Sequence, residues 1–216
     1  MRVWLLAACA LVLSSTPGMV QAAVLIEARF GDTDVRLVAD RSLDRVLLGA
    51  GSTRVLFDLA AGFVYVSESA GTPRRIRARY RPGYLEPPPY RVEPFGPGPV
   101  LAGHVTTYHV LFVDEQVCAE LMVSGWMTPF VDPAIRALAM LEALVPSGAG
   151  PCQRIPFATY AATGWPMMAG KLDRPTIETT EIAFDYRPQP DELTPPTSFE
   201  DGDVGQLPEV AKAAGL

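Results

Sequence analysis

Two histidines, His104 and His109, are the chain's whole supply of imidazoles. They stand five apart, on or beside one stretch of β-favouring residues. An odd separation in a strand sends side chains to opposite faces, so the pair is not expected to share a proton or a metal ion. No Gly-x-Ser-x-Gly elbow lifts a serine above a sheet, and Ser124-Gly125-Trp126 reads as a strand end. Neither a Gly-rich phosphate loop nor a dinucleotide fingerprint occurs, so no cofactor is expected. Asp32 and Asp34 form a close carboxylate pair of the kind that turns commonly carry. No catalytic residue is assigned. The one unusual charge feature is Arg74, Arg75, Arg77, Arg79 and Arg81, with Arg75, Arg77 and Arg79 on the same side of a strand. Two readings are open for this ladder. Guanidinium forks suit an anionic headgroup or an acidic partner, and like charges also guard a solvated sheet edge against strand addition.

The compartment follows from the amino terminus. Arg2, the apolar run Val3 to Leu13, a short polar stretch and Val20-Gln21-Ala22 have the layout of an export signal over residues 1–22. The run is too short to span a bilayer, and no later segment reaches the ~20 residues that spanning needs. Leu6-Ala7-Ala8-Cys9 has the residue types of a lipoprotein box, but so few residues precede Cys9 that lipidation there is not the expectation. Taking Arg2 from the 18 basic residues leaves 17 against 24 acidic, a formal charge of −7 for the mature chain. That balance argues against nucleic acid as a partner. A periplasmic or secreted location makes a Cys118–Cys152 disulfide the default. Neither cysteine has a second cysteine or a histidine at ligand spacing, so no metal is expected.

From Val24 to Tyr80, runs of five to seven β-favouring residues alternate with turn clusters. Val24, Ile26, Ala28 and Phe30 alternate with Leu25, Glu27 and Arg29, the period of a half-buried strand. Further strands are expected at Val35–Leu37, Leu43–Leu48, Thr53–Leu59, Phe63–Ser67 and Arg74–Tyr80, forming an antiparallel meander. Arg81 to Pro99 holds seven prolines and is expected to stay out of the sheet, either as an extended crossing or as an aromatic lid. Val105–Asp114 and Val117–Ser124 predict a hairpin. Asp132-Pro133 predicts a helix start, with Ile135, Leu138, Leu141, Leu144 and Val145 on one apolar stripe and Pro146 and Gly148 as the stop. Thr176–Arg187 predicts a late strand, with Ile182, Phe184 and Tyr186 on one face. Residues 188–216 are rich in proline and acid and are expected to be ordered at best near Phe199 and mobile beyond. The fold class expected is mainly β with α, a curved antiparallel sheet or half-barrel over residues 23–187 with a helix near 132–145 on its concave face.

At Gly103-His104-Val105-Thr106-Thr107-Tyr108, then Val110, Asp114, Cys118, Glu120 and Val123, followed by Gly164 with Pro166, the chain resembles an exported bacterial family of unknown function. That family is itself similar to the LolA/LolB lipoprotein carriers. The resemblance implies a cavity between sheet and helix for an acyl chain or another apolar ligand, lined by Phe57, Phe63, Tyr65, Leu138 and Leu141. The same side chains equally suit a filled core. Two functions are therefore carried forward. One is an apolar or lipid-like ligand bound inside the half-barrel; the other is an envelope module that meets a partner protein and holds no ligand.

Overall fold

The protein is described by a computed structural model covering residues 23–69, 71–78, 90–142, 152, 157, 159, 162–171, 173–213 and 215. The expected export signal, Arg79, residues 81–89 and the Leu144 to Gly148 helix stop lie outside the described residues.

Among the described residues twelve strands form one curved sheet that does not close. In chain order they are β1 (Ala23–Phe30), β2 (Thr33–Asp40), β3 (Arg45–Ala50), β4 (Thr53–Asp58), β5 (Phe63–Glu68), β6 (Arg74–Arg77), β7 (Tyr90–Pro97), β8 (Thr107–Val113), β9 (Gln116–Ser124), β10 (Trp165–Lys171), β11 (Arg174–Tyr186) and β12 (Glu200–Asp201). Their spatial order is β12-β6-β5-β4-β3-β2-β1-β11-β10-β9-β8-β7. Every neighbouring pair is antiparallel except β12 with β6, which is parallel. Among the described residues two α-helices pack on it, α1 (Thr128–Glu142) and α2 (Leu207–Ala213).

The meander of β1 to β6 follows the hydrophobic alternation, and its inward set includes Ile26, Leu37, Leu48, Val55, Phe57, Val64 and Ile76. This inner face carries both helices. Met127, Val131, Ala134, Ala137, Leu138 and Leu141 of α1 and its lead-in are wholly buried against it, as are Leu207 and Ala211 of α2. The helix begins earlier than Asp132-Pro133 predicts. A 3-10 turn at Gly125–Met127 feeds straight into Thr128, which sends Met127 and Val131 into the core and leaves Pro133 inside the helix. Asp132 consequently caps nothing and instead binds Arg136 one turn on, at 2.9 Å.

Two further expectations are corrected, and one strand is added. Tyr90–Pro97, expected outside the sheet for its prolines, is the edge strand β7; an edge needs only half its N–H groups, and Pro94 sits where the register with β8 slips. Trp165–Lys171 forms a strand that the hydrophobic pattern does not announce, since Pro166 and Gly170 interrupt it. It is buried between β9 and β11, with a register slip after Pro166, whose carbonyl accepts from the Thr179 hydroxyl at 3.0 Å. Residues 188–213, expected to be mobile past Phe199, are packed on the domain.

That last segment covers the second face of the sheet. Leu25, Val38, Leu47, Leu56, Tyr65 and Arg75 form one row of direct cross-strand neighbours. Val38, Leu47, Leu56 and Tyr65 point away from the helices, yet Val38 is fully buried and the others nearly so. Leu193 and Phe199 lie over them, with Tyr186 and Phe63, as a second apolar cluster. The chain then pairs β12 with β6, rounds the edge and places α2 on the inner face.

Cys118 and Cys152 are disulfide-bonded, with Cα atoms 5.0 Å apart and a sequence separation of 34. In the chain-entropy picture a loop of this length stabilises the fold by roughly 3 to 4 kcal/mol. Urea unfolding of the C118A/C152A variant should show a loss of that order. A loss below about 1 kcal/mol would mean that the crosslink is not restraining the unfolded chain.

Candidate functional site

The five residues expected to line one cavity are not brought together. Phe57, Leu138 and Leu141 are wholly buried in the inner cluster, whereas Tyr65 and Phe63 lie on the outer face under the final segment. An odd-numbered register separates them: Phe57 alternates with Leu56, and it is Leu56 that pairs directly with Tyr65. Surface clefts do occur at the β6 edge. One of about 250 Å³ is lined by Val66, Glu68, Gly71, Thr72 and Arg74, and one of about 410 Å³ lies between Thr53, Glu68, Arg74 and the α2 residues Glu209, Val210 and Ala213.

The arginine ladder divides by function. Arg74 binds Glu68 at 2.7 Å on the rim, and Arg77 is exposed on the same face as Arg75. Arg75 is engaged on three sides. Its guanidinium carbon lies 4.1 Å from the centre of the Phe199 ring and 5.0 Å from that of Phe63. Its Nε and Nη2 both donate to Asp201 Oδ1, at 3.0 and 2.7 Å. A second clasp fastens the start of the same segment. Arg36 donates to Glu192 and to the Tyr186 hydroxyl, each at 2.6 Å, and the Tyr186 hydroxyl donates to Glu192 at 2.8 Å. Tyr186 reaches this face because a bulge opposite Ala23 and Leu25 turns it away from Ile182 and Phe184, with which alternation had grouped it.

A different group of residues forms an exposed surface. The loop 98–106, the 125–127 turn, the start of α1, the β2–β3 turn, the start of β1 and the finish of β11 all fall at one end of the sheet. There Trp126 meets Phe184 at 5.1 Å, His104 at 5.6 Å and Phe130 at 5.9 Å between ring centres, and Phe130 meets Phe184 at 5.4 Å. Trp126 remains 51% exposed and Phe130 44%. Leu43, Val100 and Val105, in turns at the same end, are exposed too. Gly164 permits the arrangement. Its φ of +145° and its approach to Gly125, where a Cβ would stand 2.7 Å from the Gly125 Cα, let β10 start directly beneath the turn that launches Trp126.

The histidines are far from equivalent. His104 sits in the 98–106 loop rather than in the strand, its backbone paired with Leu101, and its ring packs edge-on to Phe184 at 5.7 Å. The two imidazoles therefore do not lie on one strand. His109 lies in β8 opposite Leu121, with Nδ1 buried and without a hydrogen-bond partner among the described residues. Among those residues no group of three or more His, Cys, Asp or Glu side chains could hold a metal ion. No helix there is long and apolar enough to cross a membrane.

No family model matches the chain, and no curated protein matches it. Among solved structures it is similar to PNGF-II in a C2 and in a P21 crystal form, at 9% and 10% identity, with a TM-score of 0.42 for each. The likeness covers 89% of this chain and 32% and 33% of those chains. The chain thus spans about a third of the length of the PNGF-II structures it matches.

Two groups tie stability to pH in the same direction. Burial pushes the Glu192 carboxyl up, but hydrogen bonds from Arg36, Tyr186 and the Gln189 amide outweigh it and hold it below its ordinary 4.5. Its contribution is present above about pH 4.5 and is lost as pH falls through the lower folded value. Burial alone lowers His109 below its ordinary 6.5, so acidification beneath that point puts more protons on the unfolded chain and destabilises the native one. Urea midpoints should therefore fall from pH 7 to 5 and again toward pH 4. His109→Gln should flatten the first stage and Glu192→Gln the second. Midpoints that stay level or rise on acidification would contradict both assignments.

Proposed function

We propose that this chain is an exported, non-catalytic protein whose aromatic end docks onto a lipid-like apolar surface of the cell envelope. The observation that carries this reading is the cluster of Trp126, Phe130, Phe184 and His104, held within 5.1 to 5.9 Å of one another and yet half open to water at Trp126 and Phe130. Rings that stack on each other are fixed in place, so little conformational freedom is left to lose on docking. Trp beside Phe and aliphatic residues is the composition that settles at a bilayer interface. Export is supported by the leader-like residues 1–22 and by a disulfide that needs an oxidising compartment.

The reading moves the apolar contact from the interior to the surface. Phe57, Leu138 and Leu141 already fill their places against one another's elements, which supports a closed core. The mature chain is acidic overall, so a membrane of uncharged headgroups suits it better than an anionic one.

Of the chain's three tryptophans, Trp4 falls in the leader and Trp165 is wholly buried, which makes Trp126 a reporter. Phosphatidylcholine vesicles added to the mature protein should shift its emission to the blue and carry protein into the vesicle pellet. Trp126→Ala with Phe130→Ala should weaken pelleting about tenfold or more while leaving the fold intact. Unshifted emission with no pelleting would overturn the lipid reading and leave the envelope-protein alternative.

A further inference from the structure

We infer that the rim of β6 is a recognition site for an extended peptide of the form Phe-x-Asp-Gly, which the chain's own residues 199–202 occupy in this state. The site is independent of the aromatic end. Four features read four consecutive positions. The Phe199 ring stacks on the Arg75 guanidinium and meets Tyr65 edge-on at 5.9 Å. The Glu200 amide donates to the Pro73 carbonyl at 2.9 Å, and its side chain is exposed, so this position supplies backbone and no selectivity. Asp201 takes two hydrogen bonds from Arg75. The Gly202 amide donates to the Arg75 carbonyl at 2.8 Å, and a Cβ at Gly202 would stand 2.8 Å from Gln206 Oε1 of the same segment, 3.0 Å from Ile76 Cγ1 and 3.4 Å from Arg74 Cβ, a tight fit that favours a small residue.

Main-chain bonds to a sheet edge with side-chain pockets at alternate positions are the elements of recognition by strand addition. What distinguishes this one from a permanent edge cover is its brevity. Only Glu200 and Asp201 pair with β6, both are exposed, and the firm anchors of the segment lie on either side, at Leu193 and at Leu207 and Ala211. A short, solvent-exposed ladder between anchors opens locally without unfolding the domain. Opening would present Arg75, Phe63 and Tyr65 to a partner's segment of the same chemistry, an aromatic residue two places before a carboxylate. The internal copy is then the resident competitor that sets the affinity a partner must exceed.

The experiment uses the full mature chain and a fluorescein-labelled peptide spanning residues 196–206. Binding is read by anisotropy. Phe199→Ala, which loosens the resident copy, should take up the peptide saturably and at least about tenfold more tightly than the wild type does. Adding Arg75→Ala to that variant should abolish uptake, as should replacing Phe or Asp within the peptide. Should Phe199→Ala prove unfolded by circular dichroism, Asp201→Asn serves in its place, since it removes only the ion pair. Absence of uptake by a folded variant, or uptake indifferent to Arg75 and to the peptide's Phe and Asp, would overturn the proposal and mark residues 199–202 as an edge cover alone.

Discussion

An open sheet has two faces, and water must be kept from whichever side carries apolar residues. Here both do. The helices close one face in the ordinary way, while the other is closed by the chain's last segment lying across the row Leu25, Val38, Leu47, Leu56 and Tyr65. Each of the aliphatic side chains in that row is worth roughly 1.5 to 3 kcal/mol when removed from water, so the cover anchored at Leu193 is a condition of the fold, whereas the short ladder at the β6 edge is not. Two clasps fix its path: Arg36, Tyr186 and Glu192 at the start, and Arg75 with Phe199 and Asp201 at the edge. Because α2 then packs beside α1, the two faces are stabilised by one continuous stretch of chain.

Closing both faces leaves the ends of the strands as the places where apolar groups can meet something else. At one end the turns carry Trp126, Phe130, Leu43, Val100 and Val105, and the described chain begins at the same end with Ala23. The opposite logic governs the β6 rim. There charge and aromatic rings are saturated internally, and access depends on the segment's opening. The two surfaces thus differ in kind, one exposed to water and one covered by the chain itself.

The meander from β1 to β6, the hairpin of β8 and β9 and the apolar stripe of α1 were all readable in the sequence, because each follows a period that burial imposes. The Cys118–Cys152 bond followed from compartment and count. What escaped was decided by neighbours and not by local pattern. Pro94 and Pro166 disqualify their segments by propensity, yet an edge position and a register slip make room for each. Proline and acid over residues 188–216 predict order at best near Phe199, but Val38, Leu47, Leu56 and Tyr65 demand a cover. Those outward positions of β2 to β5 were apolar, and strands apolar on both faces require cover on both. The aromatic end left a fainter trace, since Trp126, Phe130, His104 and Phe184 are scattered over eighty residues and only the sheet's register collects them.

Hydrogen exchange on the full mature chain, followed by mass spectrometry, tests this account most directly. Fragments covering residues 188–213 should exchange as slowly as those from the meander, with the slowest amides in α2 and faster ones at Glu200 and Gly202. Exchange of that whole segment within seconds, while β2 to β4 stay protected, would contradict it, for the outer face would then be dry without the cover on which everything else has been built.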